Sequence, residues 1–300
     1  MLRLLPPAVR GALAFVAFGL NTLVWFPLLM AVALLRVLVP LPALVRGSRR
    51  MATWIAATWI GTNSRGLAVV GRMKWHIVEP ADLRPDAWYL VTSNHQSWVD
   101  IAILQWLFNR RIPMLKFFLK KELFWVPLLG LAWWALEFPF MRRYPRAVLE
   151  KRPDLRRKDL DTTRRVCERF RETPVSVLNF VEGTRFSVEK RDRHQSPYRH
   201  LLLPRAGGVA QVASTLGDRL ECLLDVTIVY PGGVPTFWHL ISGQIPAVII
   251  RIDDVPLDPA WTGRDYDSDL AFREEFQGFL RDLWARKDVR IEALARGAAR

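Results

Sequence analysis

Cysteine is nearly absent from the chain: Cys167 and Cys222 are the only two in 300 residues. Their separation matches no metal-ligating pattern and supports no disulfide framework, so no metal is expected and a reducing compartment fits. No G-x-S-x-G elbow occurs, which removes the usual sign of a serine nucleophile on a strand-to-helix turn. Internal repeats and low-complexity segments are missing as well. Acidic residues are scarce beside basic ones, 29 Asp and Glu against 43 Lys and Arg, for a net charge of +14. Such a balance favours anionic partners. Nucleic acid is not expected among them, because no RNP-like or helix-turn-helix pattern interleaves aromatic and basic residues.

What the chain does have is apolar length. From Gly11 to Leu35 there is no charged residue, and a helix of that extent would reach about 37 Å against a bilayer core of about 30 Å. A secretory signal has a shorter apolar core and a small-residue cleavage site, so the run reads as a retained anchor, with Pro27 a place for a kink and Asn21 a polar spot. A second stretch, Met51 to Ile60, holds Trp54 and Trp59 behind Arg46, Arg49 and Arg50. Tryptophan beside arginine suits a helix at headgroup level, so the first segment either spans or returns as a hairpin with the second. Arg36, Arg46, Arg49 and Arg50 follow the apolar run and Arg3 and Arg10 precede it. That bias places the remainder of the chain on the cytoplasmic side of the inner membrane if the segment spans. A buried helix of a soluble protein is the alternative.

Beyond about residue 70 the pattern becomes strands alternating with helices. Ala87–Thr92, Val175–Val181, Leu223–Tyr230 and Ala247–Val255 read as strands, and Trp98–Phe108 and Ala206–Leu216 as helices. Asp267 to about Arg296 reads as one or two amphipathic helices. Arg142–Arg171, dense in basic residues, is expected to be exposed helix and loop, and Glu189–His200 a loop. The alternation predicts an α/β fold with a mostly parallel central sheet flanked by helices. The chain then divides into an anchor, residues 1–65, and a unit of residues 66–300 that ends in a helical tail.

Two clusters carry chemistry. Asn94-His95-Gln96-Ser97-Trp98-Val99-Asp100 follows a buried strand. Histidine accepts protons near neutrality, and a carboxylate on its other ring nitrogen fixes the tautomer and stabilises the imidazolium. Positions i and i+5 of one helix point about 140° apart, so the pair meets only if His95 lies in the strand-to-helix turn and Asp100 on the first turns of the helix. Ser93, Asn94 and Ser97 suit that junction as capping residues. A structural His–Asp pair is the alternative. The second cluster, Phe180-Val181-Glu182-Gly183-Thr184-Arg185-Phe186, sets an arginine on a glycine-containing turn, where its planar fork suits phosphate.

Taken together, Asn-His-x4-Asp and Glu-Gly-Thr-Arg, in this order and at this distance, resemble the glycerolipid acyltransferase family, above all its 1-acyl-glycerol-3-phosphate and lysophospholipid acyltransferases. Lys120–Gly130, running on to Phe140-Met141-Arg142-Arg143, and Leu203–Gly208 look like two further blocks of that family; the likeness covers roughly residues 75–235. The resemblance implies a membrane-bound enzyme moving a fatty acyl chain from acyl-CoA or acyl-ACP, a co-substrate and not a cofactor, to the free hydroxyl of a lysophospholipid. It implies His95 as general base and Asp100 as its orienter. Glu182, Gly183, Thr184 and Arg185, with Arg143, would bind the phosphate-bearing acceptor, and Asn94 and Ser97 would also lie against substrate. Two departures stand out: Arg142 sits before Arg143 where the family often has an acidic residue, and Asp225 sits where its last motif usually has a proline. This resembles a side branch of the family, so another lysophospholipid or an ornithine-type lipid is an alternative acceptor. A non-catalytic basic protein that binds anionic lipid is the alternative of another class.

Overall fold

A computed structural model of the chain describes residues 4–71, 73–80, 82–141 and 164–298. The apolar N-terminal run forms α1, Pro7–Leu38, continuous through Pro27. It turns back into α2, Pro42–Val70, so the stretch Met51–Ile60 is not a separate short helix but the middle of a long one. Asn21 is the polar latch between them, donating from Nδ2 to Asn63 Oδ1 at 2.8 Å and to the Trp59 carbonyl at 3.1 Å. Trp25 meets Trp54 edge-on, and Leu29 and Ala33 close against Ala52 and Ile55.

After the hairpin the strands β1 (Lys74–Val78), β2 (Trp88–Ser93), β3 (Leu115–Phe117), β6 (Ser176–Asn179), β7 (Leu220–Val229) and β8 (Ala247–Val255) build one sheet. It has six strands in the order β1-β8-β7-β2-β6-β3. Every pairing is parallel except β7 with β8. A small parallel pair, β4 (Leu119–Lys120) and β5 (Phe140–Met141), stands apart from it. Among the described residues the α-helices that accompany the sheet are α3 (Val99–Phe108), α4 (Leu129–Ala135), α5 (Val188–Arg193), α6 (Ala206–Leu216), α7 (Phe237–Ile241) and α8 (Leu270–Ala298). Strands β2 and β7 are apolar runs because both sheet faces are covered. On one face Leu90, Val177 and Leu223 pack with α6 and α8; on the other Tyr89, Val91, Leu224 and Val226 pack with α3.

Glu189–His200 is not all loop. Ser187 caps α5 by accepting the Lys190 amide, and Arg193 bonds Glu189 one turn away. This helix has no buried residue, so it leaves no apolar stripe to read. The tail is one helix, α8, whose Phe272, Phe276, Leu280, Leu283, Trp284 and Ile291 line a single buried face.

The hairpin lies along the globular unit. Near its N-terminal end, Gly11 sits under the Trp238 indole so closely that a Cβ would come within 2.7 Å of the ring; Arg10 donates to the Val70 carbonyl. At the far end, Arg36 donates to the Ala135 carbonyl, and Arg49 pairs with Glu137 and Glu172. Outward, α1 shows solvent Phe15, Val16, Leu20, Leu23, Val24 and Leu28. Among the described residues α1 is the one helix long and apolar enough to cross a bilayer.

Asp225 lies fully buried in mid-sheet, with Lys287 of α8 at 2.7 Å and Arg290 at 3.4 Å. Thr92 of β2 donates to the same carboxylate, and Lys287 also donates to the Val226 carbonyl. A buried charge is tolerated only with partners of this kind. Lys287→Ala would leave Asp225 without its nearest cation, and we expect a stability loss of about 3–5 kcal/mol, read as a lowered unfolding midpoint of the full-length protein in detergent; a midpoint within a degree of wild type would contradict this account.

Candidate active site

Because β2, β6 and β7 run in parallel, their C-terminal ends share one edge of the sheet, where open α/β folds place their sites. The chain leaves β2 at Ser93 and enters α3 at Val99; His95 lies in the connection and Asp100 in the first helical turn. The two therefore meet, with His95 Nδ1 2.9 Å from Asp100 Oδ2. The same oxygen accepts the amides of Gln96, at 2.6 Å, and Ser97, at 2.8 Å, so Asp100 also folds the loop that carries the histidine. Its other oxygen accepts the Tyr230 hydroxyl at 2.7 Å. The His95 ring stacks on Phe180 at 4.0 Å between centroids. It keeps 13% of its side chain exposed, against 1% for Asp100, and Nε2 has no hydrogen-bond partner among the described residues. A basic nitrogen held in one orientation with its free edge at the surface can take a proton from an incoming hydroxyl.

Asn94 and Ser97, expected beside substrate, have their polar atoms engaged within the protein. Asn94 forms a two-way bond with the backbone of Ile228. The Ser97 hydroxyl donates to the Pro235 carbonyl and accepts the Val99 amide. Glu182, expected to grip the acceptor, is turned inward and buried; its two oxygens accept the amides of His95 and Leu202. Together with Phe186 N–H donating to the His95 carbonyl and Arg205 N–H to the Val181 carbonyl, this carboxylate joins three loops distant in sequence. Burial pushes its pKa up to about 7, opposed by the two backbone bonds and by Lys287.

Gly183 turns at φ +71°, a conformation costly for other residues. A Cβ there would stand 3.3 Å from Cδ and Nε of Arg205. Thr184 accepts a bond from Lys190 Nζ at 2.9 Å. Arg185 is exposed, its guanidinium 5.3 Å from the Trp98 ring centroid, with no carboxylate paired to it among the described residues. Arg143, the remaining residue expected here, lies outside the described residues.

Sequence reasoning named Phe180 and Arg205 only as members of their motifs, without the contacts to His95 and Gly183, and it missed Tyr230 and Lys116. Lys116 of β3 is half-buried over the Phe170 ring at 5.3 Å. Burial, opposed by Glu137 and aided by Arg49 and Arg36, brings its pKa down to about 8. A lone lysine among Leu115, Phe117 and Phe118 was a signal for it; Tyr230 left none. Burial pushes the Cys167 thiol up to about 12 and Cys222 up to about 11, so neither is a ready thiolate nucleophile near neutrality.

Residues 74–231 match the model of the family described as Acyltransferase. The chain is 27% identical over 210 residues to the 1-acyl-sn-glycerol-3-phosphate acyltransferase delta of Mus musculus, a match covering 62% of this chain and 52% of that one. It is 30% identical over 209 residues to the lysocardiolipin acyltransferase 1 of Danio rerio, covering 65% and 51%. The chain thus spans about half the length of these curated relatives. Among solved structures, the crystal structure of the 1-acyl-sn-glycerophosphate (LPA) acyltransferase from Thermotoga maritima superposes with a TM-score of 0.53 at 18% identity, covering 93% of this chain and 98% of that one. That likeness concerns the fold.

The raised pKa of Glu182 gives a sign for stability against pH. Its contribution is fully present below the unfolded value, near 4.5, and is lost as pH rises through about 7. Stability should therefore fall between about pH 5 and 7 by up to roughly 3 kcal/mol from this group, and Glu182→Gln should flatten that slope. Denaturant unfolding of both proteins across this range checks it; parallel slopes would exclude the assignment.

Proposed function

The chain belongs to the acyltransferase family, and from that premise we propose that it is a membrane-bound O-acyltransferase. It moves a fatty acyl chain from an acyl thioester, acyl-CoA or acyl-ACP, to the free hydroxyl of a lysophospholipid, in the first place 1-acyl-glycerol-3-phosphate. The observation that carries this reading is the His95–Asp100 pair at the end of the sheet, with Nε2 free of partners among the described residues. His95 takes the proton of the acceptor hydroxyl as its oxygen bonds to the thioester carbonyl carbon. The carbon–sulfur bond breaks, and the imidazolium returns the proton to the leaving thiolate. Asp100 orients the ring and stabilises the imidazolium. No protein nucleophile enters this scheme.

Arg185, without a paired carboxylate among the described residues and steadied by Trp98, is assigned to the acceptor phosphate, with the Gly183 turn giving close approach and Thr184 beside it. Glu182, Asn94 and Ser97 are assigned to holding the loops, since their polar atoms are already bonded. The names of the relatives, one acting on an acylglycerol phosphate and one on lysocardiolipin, support a phosphate-bearing lysolipid. The exposed apolar face of α1 supports association with the bilayer. Because both ends of that helix touch the globular unit, we place it along the membrane surface; the positive-inside bias then no longer sets a side, and the cytoplasmic face of the inner membrane is proposed because two free thiols fit a reducing compartment.

His95→Ala should lower acyl transfer by about 10²–10⁴-fold at unchanged protein level in membranes, and near-normal turnover would sink the mechanism. Arg185→Ala should raise the acceptor KM by one to three orders of magnitude, roughly, with Arg185→Lys recovering part of the loss. Steady-state kinetics varying acceptor and donor separately decides this; an effect confined to the donor would move Arg185 to the coenzyme's phosphates.

A further inference from the structure

We infer that Tyr230 is a positioning residue for the reaction, fixing the Asp100 carboxylate from the end of the neighbouring strand β7 so that the His95 ring is held at one angle. The inference rests on the acyl-transfer reading of the His95–Asp100 pair and adds a third member to it.

Four donors converge on Asp100. Three are local: the His95 ring and the amides of Gln96 and Ser97, all on Oδ2. Each belongs to the loop that the carboxylate itself organises, and all three leave Oδ1 untouched. The Tyr230 hydroxyl, alone on Oδ1 at 2.7 Å, comes from a position 130 residues away. Tyr230 directly follows β7 and is only 6% exposed. The strand end that carries it is itself clamped to the histidine loop, since Asn94 bonds both ways to the Ile228 backbone and Gln96 donates to the same carbonyl. The tyrosine therefore transmits a rigid reference, the sheet, to the one oxygen of Asp100 that the loop leaves free.

The phenol also acts on charge. Tyr230 is held well above the ordinary tyrosine range by burial and by Asp100 itself, so it remains a donor throughout the working range of a histidine base. A donor on Oδ1 draws negative charge away from Oδ2, which faces the imidazole. The titratable groups around Asp100 are His95, Tyr230 and, at longer range, Glu182, whose charge also couples to Lys287. Removing the phenol hydroxyl leaves more charge on Oδ2, where it stabilises the imidazolium. The acid limb of the rate profile should then move to higher pH. The freed carboxylate also turns, which lowers turnover.

The experiment compares wild type, Tyr230→Phe and Asp100→Asn, each as the full chain in vesicles with a lysophospholipid acceptor and an acyl thioester donor. Phenylalanine keeps the ring and removes only the hydroxyl. We expect kcat for Tyr230→Phe to fall roughly tenfold to a hundredfold, with both KM values within about twofold of wild type and the acid limb shifted upward. Asp100→Asn should be lower still, and the double variant no worse than Asp100→Asn, because Tyr230 acts through Asp100. A Tyr230→Phe enzyme with wild-type kcat and pH profile would overturn the inference, and so would reduced kcat with an unmoved acid limb and a lowered unfolding midpoint. Absence of acyl transfer by wild type would instead defeat the acyl-transfer reading on which the inference stands.

Discussion

The geometry at the end of the sheet hangs on one buried carboxylate. Glu182 receives the amide of His95 on one oxygen and that of Leu202 on the other, and so ties together loops that leave β2 and β6 and the segment that leads into α6. Parallel strands demand this kind of tie. Their connections cross over at a distance, so nothing along the chain brings neighbouring C-terminal ends into register. Burial of a carboxylate is costly, and here two backbone donors and the nearby Lys287 offset that cost.

Lys287 is where this local tie meets the larger fold. The same ammonium that acts on Glu182 is hydrogen-bonded to Asp225 and to the Val226 carbonyl, and it lies 4.5 Å from the centroid of the Trp284 ring. The carboxylate buried in β7 is thus matched by a lysine on α8, and strand and C-terminal helix form one arrangement. A substitution at either place would be felt at the histidine loop through charge as well as packing.

How much of this was written in the chain depends on range. Helix α6 and strand β8 match the sequence expectation residue for residue, since their apolar patterns are clean and their ends carry turn residues. Strand β1 was missed because Lys74-Trp75-His76-Ile77-Val78 is an edge strand without a buried face to reveal it. The His95–Asp100 contact was legible because both partners lie within one turn and its helix cap. Tyr230 was not, because its position depends on the pairing of β7 with β2 and no local pattern encodes that. Glu182 shows a subtler limit. Its neighbourhood was legible, but the direction its carboxylate faces depends on two amides from other loops.

The attachment of α1 at both ends has a consequence for the surroundings it is proposed to occupy. A helix that crosses a bilayer must match its apolar length to the thickness of the hydrocarbon core, and it tilts or deforms the lipid where the two differ. A helix lying flat has no such length to match. Its draught is set by its diameter, about 10–12 Å. Held by Trp238 at one end and Glu137 at the other, the hairpin would keep the sheet's open edge at a constant height above the acyl chains, whatever their length.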